Sequence, residues 1–218
     1  MYTPGSFELT DLHIQHQLIE DYPFGTLTVH GSTGLAATHL PFLLTEPQRG
    51  LGTLQAHVAR SNTEFGLLAD ATPVLVIFQG PHAYISPSWY PSKKSLGGKA
   101  VPTWNYVSVH VHGMLSTTTS PEWLLTHLEH QTNRFEKGRA DPWKISDAPA
   151  DYINTMLNNI VGLEISITSV EAKQKLSQNR PMLDQQGVIH GLLQHSDSPT
   201  SSHFNEDIAR LMRSNLER

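Results

Sequence analysis

The sequence predicts an α+β fold in which an antiparallel meander of about six strands closes into a barrel or sandwich, with helices inserted before the last strand. Three observations carry this expectation. Short apolar runs alternate with Gly and Pro between residues 24 and 113, a capped helical pattern begins at Ser120, and an alternating run returns at Val161.

The elements follow in order. Leu9 to Asp21 reads as a first helix, because Thr10 or Asp11 can cap it, Leu12, Leu18 and Ile19 fall on one side, and Pro23 ends it. Phe24 to His30 and Gly34 to Leu43 flank the turn residues Gly31 to Thr33 and read as a hairpin. Leu51 to Ala59 is a third run. Pro73 to Gln79 is continuously apolar and β-branched, which predicts a strand buried on both faces. Trp104 to Gly113 alternates, and so does Val161 to Val170 through Leu163, Ile165 and Ile167. Between those two, Ser120 supplies a cap and Pro121 the first residue of a helix reaching Glu136. A shorter helix is expected from Pro149 to Asn158. His195 to His203 is polar linker by composition, followed by a helix with Phe204, Ile208, Leu211, Met212 and Leu216 on one face. The chain is therefore divided into a barrel domain, 1–194, and a linker with C-terminal amphipathic helix, 195–218, the helix docking on its own barrel.

Composition removes several function classes. With 218 residues the chain can bury a core without staples, and the absence of cysteine excludes disulfides, thiolate zinc sites and cysteine catalysis. Glu8, Asp11, Glu20 and Asp21 occupy a region where a secretion signal would be cationic and then apolar, and no run approaches the roughly 20 apolar residues of a membrane span. A cytoplasmic location and no membrane partner are expected. A net charge of −5 offers no overall attraction to DNA, so a nucleic-acid partner is not supported by charge.

Chemistry collects in three stretches: His57 to Asn62, Gln79 to Tyr106, and Lys173 to Arg180. In the middle stretch aromatics, hydroxyls and lysines interleave on what is expected to be a loop between strands. A planar, phosphorylated cofactor would use such a set together. Its phosphate needs cations and donors, for which Arg60, Lys93, Lys173, Lys175 and Arg180 are candidates, and its ring needs apolar or aromatic walls, for which Trp89 and Trp104 compete with a purely core-capping role. His110 and His112 share a face of their strand and offer a haem or metal alternative, but no carboxylate motif accompanies them, so no metal site is assigned. Phosphate-cradling glycine loops, HExxH, GxSxG and a basic recognition helix are all missing.

Seven blocks then stand out: Met1-Tyr-Thr-Pro-Gly-Ser-Phe7, Ala37-Thr-His-Leu-Pro41, His57-Val-Ala-Arg-Ser-Asn62, Phe78-Gln-Gly-Pro-His-Ala-Tyr84, Ser86-Pro-Ser-Trp-Tyr90, Val101-Pro-Thr-Trp-Asn-Tyr106 and Lys175-Leu-Ser-Gln-Asn-Arg180. In this order they resemble the PaiB-type FMN-binding negative transcriptional regulators, over nearly the whole chain to about Leu192. The resemblance implies an antiparallel split β-barrel of the FMN-binding type with peripheral helices, FMN as cofactor, a homodimer, and repression of genes for sporulation and degradative enzymes. It departs at Ala172, where Gly is expected, and at Phe65, where Trp is expected.

By position the resemblance implies cofactor contacts from Ala37, Thr38, His39 and Pro41 along the ring, and from His57, Arg60 and Asn62 near the phosphate or ribityl chain. It adds Ser86, Trp89, Lys93 and Trp104 from the middle stretch, and Lys175, Ser177, Gln178 and Arg180 from the closing strand, of the same chain or of the partner subunit. Catalytic residues stay unassigned, although His39, His57 and Tyr106 are candidate proton donors. Three functions are carried forward: a flavin-binding regulator acting through a partner, an FMN-dependent oxidoreductase of reductase or oxidase type, and a haem or metal-binding barrel.

Overall fold

A computed structural model describes residues 1–31, 34–45, 50–66, 68–95, 97–195 and 204–217. The last two residues of the expected hairpin turn and most of the expected polar linker lie outside them. The elements are β1 (Glu8–Leu9), α1 (Leu12–Asp21), β2 (Phe24–Gly31), β3 (Gly34–Pro41), β4 (Leu43–Thr45), β5 (Thr53–Ala59), α2 (Thr63–Gly66), β6 (Thr72–Ile85), β7 (Thr103–Thr118), α3 (Pro121–Glu136), α4 (Ala150–Leu157), β8 (Ile160–Lys175), α5 (Met182–Gln194) and α6 (Asn205–Leu216). The strands form one sheet in the order β3-β2-β6-β7-β8-β5-β4, and β1 pairs with β8 off that path. The β2–β3, β2–β6, β4–β5, β5–β8 and β1–β8 pairings are all antiparallel.

Three sequence expectations change. The first helix begins at Leu12 because the Asp11 carboxylate accepts from the backbone N–H of His13 (2.9 Å) and Ile14 (3.3 Å). That cap frees Leu9 to pair with Ala172 in β1. The strand at Pro73 to Gln79 is not buried on both faces: Val74, Val76 and Phe78 are buried while Leu75 and Ile77 are half-exposed, the alternation of a strand with one core face. The middle stretch is only partly loop. β6 runs on to Ile85 and β7 starts at Thr103, so Gln79 to Ile85 and Thr103 to Tyr106 lie on strands. An unanticipated helix, α5, follows the Lys173 to Arg180 block.

The chain packs as two compact units. The first comprises Met1–Leu18, Gln79–Val109 and Glu171–Arg218. Its core holds Ala83 and Ile85 of β6, Tyr90, Leu176, Val188, Ile189 and Leu192 of α5, and Ile208, Ala209 and Met212 of α6. The terminal helix thus buries its apolar face beside α5, with Leu211 and Leu216 packed at the margin. The second unit comprises Ile19–Phe78 and His110–Val170. Its buried side chains include Leu27, Phe42, Leu54, Phe78, Leu163 and Ile165, and the Phe42 and Phe78 rings meet edge to face at 5.6 Å.

Candidate functional site

In the first unit, β7 and the end of β8 carry a cationic cluster. Lys173 is buried, donates from Nζ to the Tyr2 carbonyl (3.1 Å) and lies 5.2 Å from the centroid of the Tyr106 ring. Lys175 is half-buried and donates from Nζ to the Thr103 hydroxyl (2.6 Å). Arg180 places its guanidinium 4.9 Å from the centroid of the Tyr90 ring. Burial pushes the Lys175 ammonium below its usual range, and the Lys173 and Arg180 cations push it further while Tyr106 opposes them. Among the described residues none of the three forms a salt bridge with a carboxylate.

Beside Thr103 the Trp104 ring is half-exposed, with the exposed Tyr84 ring edge-on at 6.0 Å and His82 at 6.1 Å. Large aromatics on a strand face ordinarily go inward, so these two are left open for a ligand, while the cations themselves lie over the Tyr106 and Tyr90 rings. An anionic tail would find three cations and the Thr103 hydroxyl here, and a planar ring would find aromatic walls. By donor set and by wall the residues present fit FMN.

The other candidates of this unit are held in structural bonds. Ser177 is buried against Asn105, and Gln178 folds onto its own turn, accepting from the Leu176 N–H (2.6 Å) and donating to the Gln174 carbonyl (2.5 Å). Ser86 caps a short 3-10 turn, accepting from the Ser88 N–H (3.2 Å). Trp89 lies against α5 at Gly187 and Gly191, where a β-carbon at either position would collide with it. Lys93 is exposed on the following turn, which Ser92 fixes by donating its backbone N–H and hydroxyl to the buried Asp184 carboxylate (3.0 and 2.6 Å).

The second unit holds the rest. Ala37, Thr38, His39 and Pro41 lie on β3, a terminal strand of the sheet, in register with Thr28, Leu27, Thr26 and Phe24 of β2. His39 stacks on Phe24 at 6.3 Å. His57 is turned to His127 of α3, with Nδ1 and Nε2 3.2 Å apart. Arg60 donates to the backbone carbonyls of Asn158 (2.7 Å) and Ile160 (3.4 Å), and the Asn62 backbone closes a turn to Ala59. Within this unit His57 and Arg60 therefore turn to different partners. His110 and His112 are both half-buried on one face of β7, and among the described residues no group of three or more His, Asp or Glu could hold a metal.

Sequence reasoning missed Thr103, Asn105, Ser92 and Asp184 as partners of the candidate residues, and it missed the Gly187/Gly191 notch. The notch did have a signal, two glycines four apart and so on one helical face.

The fold is that of the split-barrel flavin-binding proteins. It aligns with the FAD and heme binding protein from Mycobacterium smegmatis at a TM-score of 0.56 and 16% identity, covering 77% of this chain and 73% of that one. Residues 1–169 match the family described as "Putative FMN-binding domain", and the chain belongs to that FMN-binding family. It is similar to the protease synthase and sporulation protein PAI 2 of Bacillus subtilis, with 32% identity over 218 residues covering 100% of this chain and 99% of the relative. An uncharacterized protein of Emericella nidulans is 32% identical over 225 residues, covering 88% of this chain and 90% of its own. Both positions where the sequence departs from the PaiB pattern are packed inside: Phe65 is 2% and Ala172 3% exposed. Among the described residues no helix is long and apolar enough to cross a membrane.

Proposed function

We propose that this chain is an FMN-loaded negative regulator of gene expression, cytoplasmic and homodimeric, that acts through a protein partner. One observation carries the placement of the cofactor: the Lys173, Lys175 and Arg180 cations lie close enough to repel one another and have no carboxylate counter-ion among the described residues. Lys175 and Arg180 hold the phosphate, Lys173 adds charge from behind, and Trp104 walls the ring. FMN, when bound, supplies a ring that accepts and returns electrons.

The candidates of the second unit are proposed separately as flavin contacts, with Ala37 to Pro41 favoured because β3 ends the sheet. If Thr38→Ala and His39→Ala leave FMN retention unchanged, their side chains are removed from the set. The regulatory role is supported by full-length similarity to the sporulation protein, and action through a partner by the net charge of −5.

The test of the flavin site is direct. Purified protein shows flavin absorption bands, and Lys175→Ala and Arg180→Ala weaken FMN binding but spare riboflavin, which lacks the phosphate. Equal loss of both flavins would remove the phosphate assignment. The dimer predicts a solution mass near 48 kDa, twice the 24.2 kDa of one chain. Saturable, sequence-preferring binding to promoter DNA at low salt would overturn action through a partner, and NAD(P)H oxidation well above that of free FMN would make the protein an oxidoreductase instead.

A further inference from the structure

The turn that leads from β8 into α5 is built on a backbone conformation that L-residues avoid. Ser177 has φ +64°, in the left-handed region, and it is a serine where glycine is the ordinary choice. Something must hold it there. Its hydroxyl donates to Asn105 Oδ1 (3.1 Å) and accepts from Asn105 Nδ2 (3.0 Å), a closed two-bond pair between residues that are both buried. Asn105 has a further contact from Nδ2 to the Met212 sulfur at 3.5 Å, so its amide is fixed from both sides.

The consequence falls on the cations. Lys175 precedes the strained residue by two positions and Arg180 follows it by three, with the Arg180 N–H closing the turn onto the Ser177 carbonyl (2.9 Å). Asn105 and Thr103 project from the same face of β7, the one bracing Ser177 and the other accepting from Lys175. Without the brace Ser177 would relax to negative φ, and the turn that sets the position of Arg180 relative to Lys175 would change.

We propose that Asn105 is a positioning residue for the flavin phosphate: it touches no ligand, and it holds Ser177 left-handed so that Lys175 and Arg180 converge. This rests on the phosphate assignment made above. Loss of the left-handed turn is expected to weaken FMN binding roughly tenfold.

The experiment compares the dissociation constants of FMN and riboflavin for the full chain by quenching of flavin fluorescence. Asn105→Ala weakens FMN about tenfold and riboflavin less than threefold. Adding Ser177→Gly to Asn105→Ala restores the preference for FMN, because glycine adopts the positive φ without a brace. Should Asn105→Ala fail to fold, Ser177→Ala removes the same hydroxyl pair and carries the same expectation. The inference is overturned if Asn105→Ala weakens both flavins equally, or if the glycine does not rescue. Lys175→Ala and Arg180→Ala run alongside: if they do not lower the preference for FMN, the phosphate assignment fails and takes the inference with it. If they do lower it while the Asn105 variant does not, only the positioning role fails.

Discussion

The Trp89 indole occupies the space that a β-carbon on Gly191 would need, and the Trp89 carbonyl does the same at Gly187 one helical turn earlier. The two glycines thus cut a notch into α5 that receives the segment between β6 and β7. Gly191→Ala gains up to about 1 kcal/mol of helix propensity but must displace a packed indole, which typically costs about 1–3 kcal/mol. A lower urea midpoint with unchanged slope is expected, and an unchanged or raised midpoint would show that Trp89 does not sit in the notch.

The same segment is tied down a second time through Asp184, whose buried carboxylate accepts both the Ser92 N–H and the Ser92 hydroxyl. Asp184→Ala leaves two donors without their acceptor, at a cost of about 1–3 kcal/mol, while Asp184→Asn retains one carbonyl acceptor and costs less. Lys93 and Lys94 are exposed next to this tie. Trypsin cleavage there is expected to accelerate in Asp184→Ala before global unfolding does. Equal cleavage of variant and parent would mean that the glycine notch holds the segment alone.

FMN binding should depend on pH through Lys175. Its ammonium lies below the ordinary value of 10.5, chiefly because it is buried and then because Lys173 and Arg180 repel it. Raising the pH therefore discharges it earlier than an ordinary lysine, and affinity for FMN falls on the alkaline side of neutrality while affinity for riboflavin does not. Lys175→Arg, charged throughout, flattens the FMN curve. Parallel curves for the two flavins would contradict the phosphate role.

Much of this was legible in the sequence because it rests on local rules. Ser120 and Pro121 announced α3, and the Trp104 to Gly113 alternation announced β7. The errors have one cause, which is that strand ends are decided by partners. Gln79 to Ile85 looked like loop because Gly80, Pro81 and His82 break the propensity pattern, yet it is strand in the sheet. The chemistry of single residues was legible in kind only. Lys175 and Arg180 were visible as cations and Asn105 as part of a motif. That Asn105 braces Ser177 across 72 positions of sequence, while Arg60 spends its donors on the carbonyls of Asn158 and Ile160, follows from tertiary packing alone.

Acid sensitivity should come from α3. His127 is 1% exposed, its Nδ1 is buried without a hydrogen-bond partner, its Nε2 meets His57, and its ring stacks on Trp123 at 5.2 Å. Burial, then the neighbouring His57 and His130, hold it down at about 4, and burial also lowers His57. The Glu164 carboxylate accepts from Trp123 Nε1 and Gln55 Nε2, and among the described residues no ion pair joins it to either histidine. The unfolded chain protonates the His127 imidazole near 6.5 and the folded chain resists until about 4, with His57 lowered in the same direction, so the unfolded state binds more protons across that window. Stability is thus complete above pH 6.5 and declines as the pH falls toward 4, by on the order of 2 kcal/mol for a coupled pair that takes up its first proton reluctantly. Urea midpoints measured between pH 7.5 and pH 4.5 give the slope, and His127→Phe, which keeps the ring against Trp123, should remove the larger part of it. If the parent and His127→Phe slopes coincide, the buried pair is not what makes the fold acid-sensitive, and the other histidines of this chain must carry the effect.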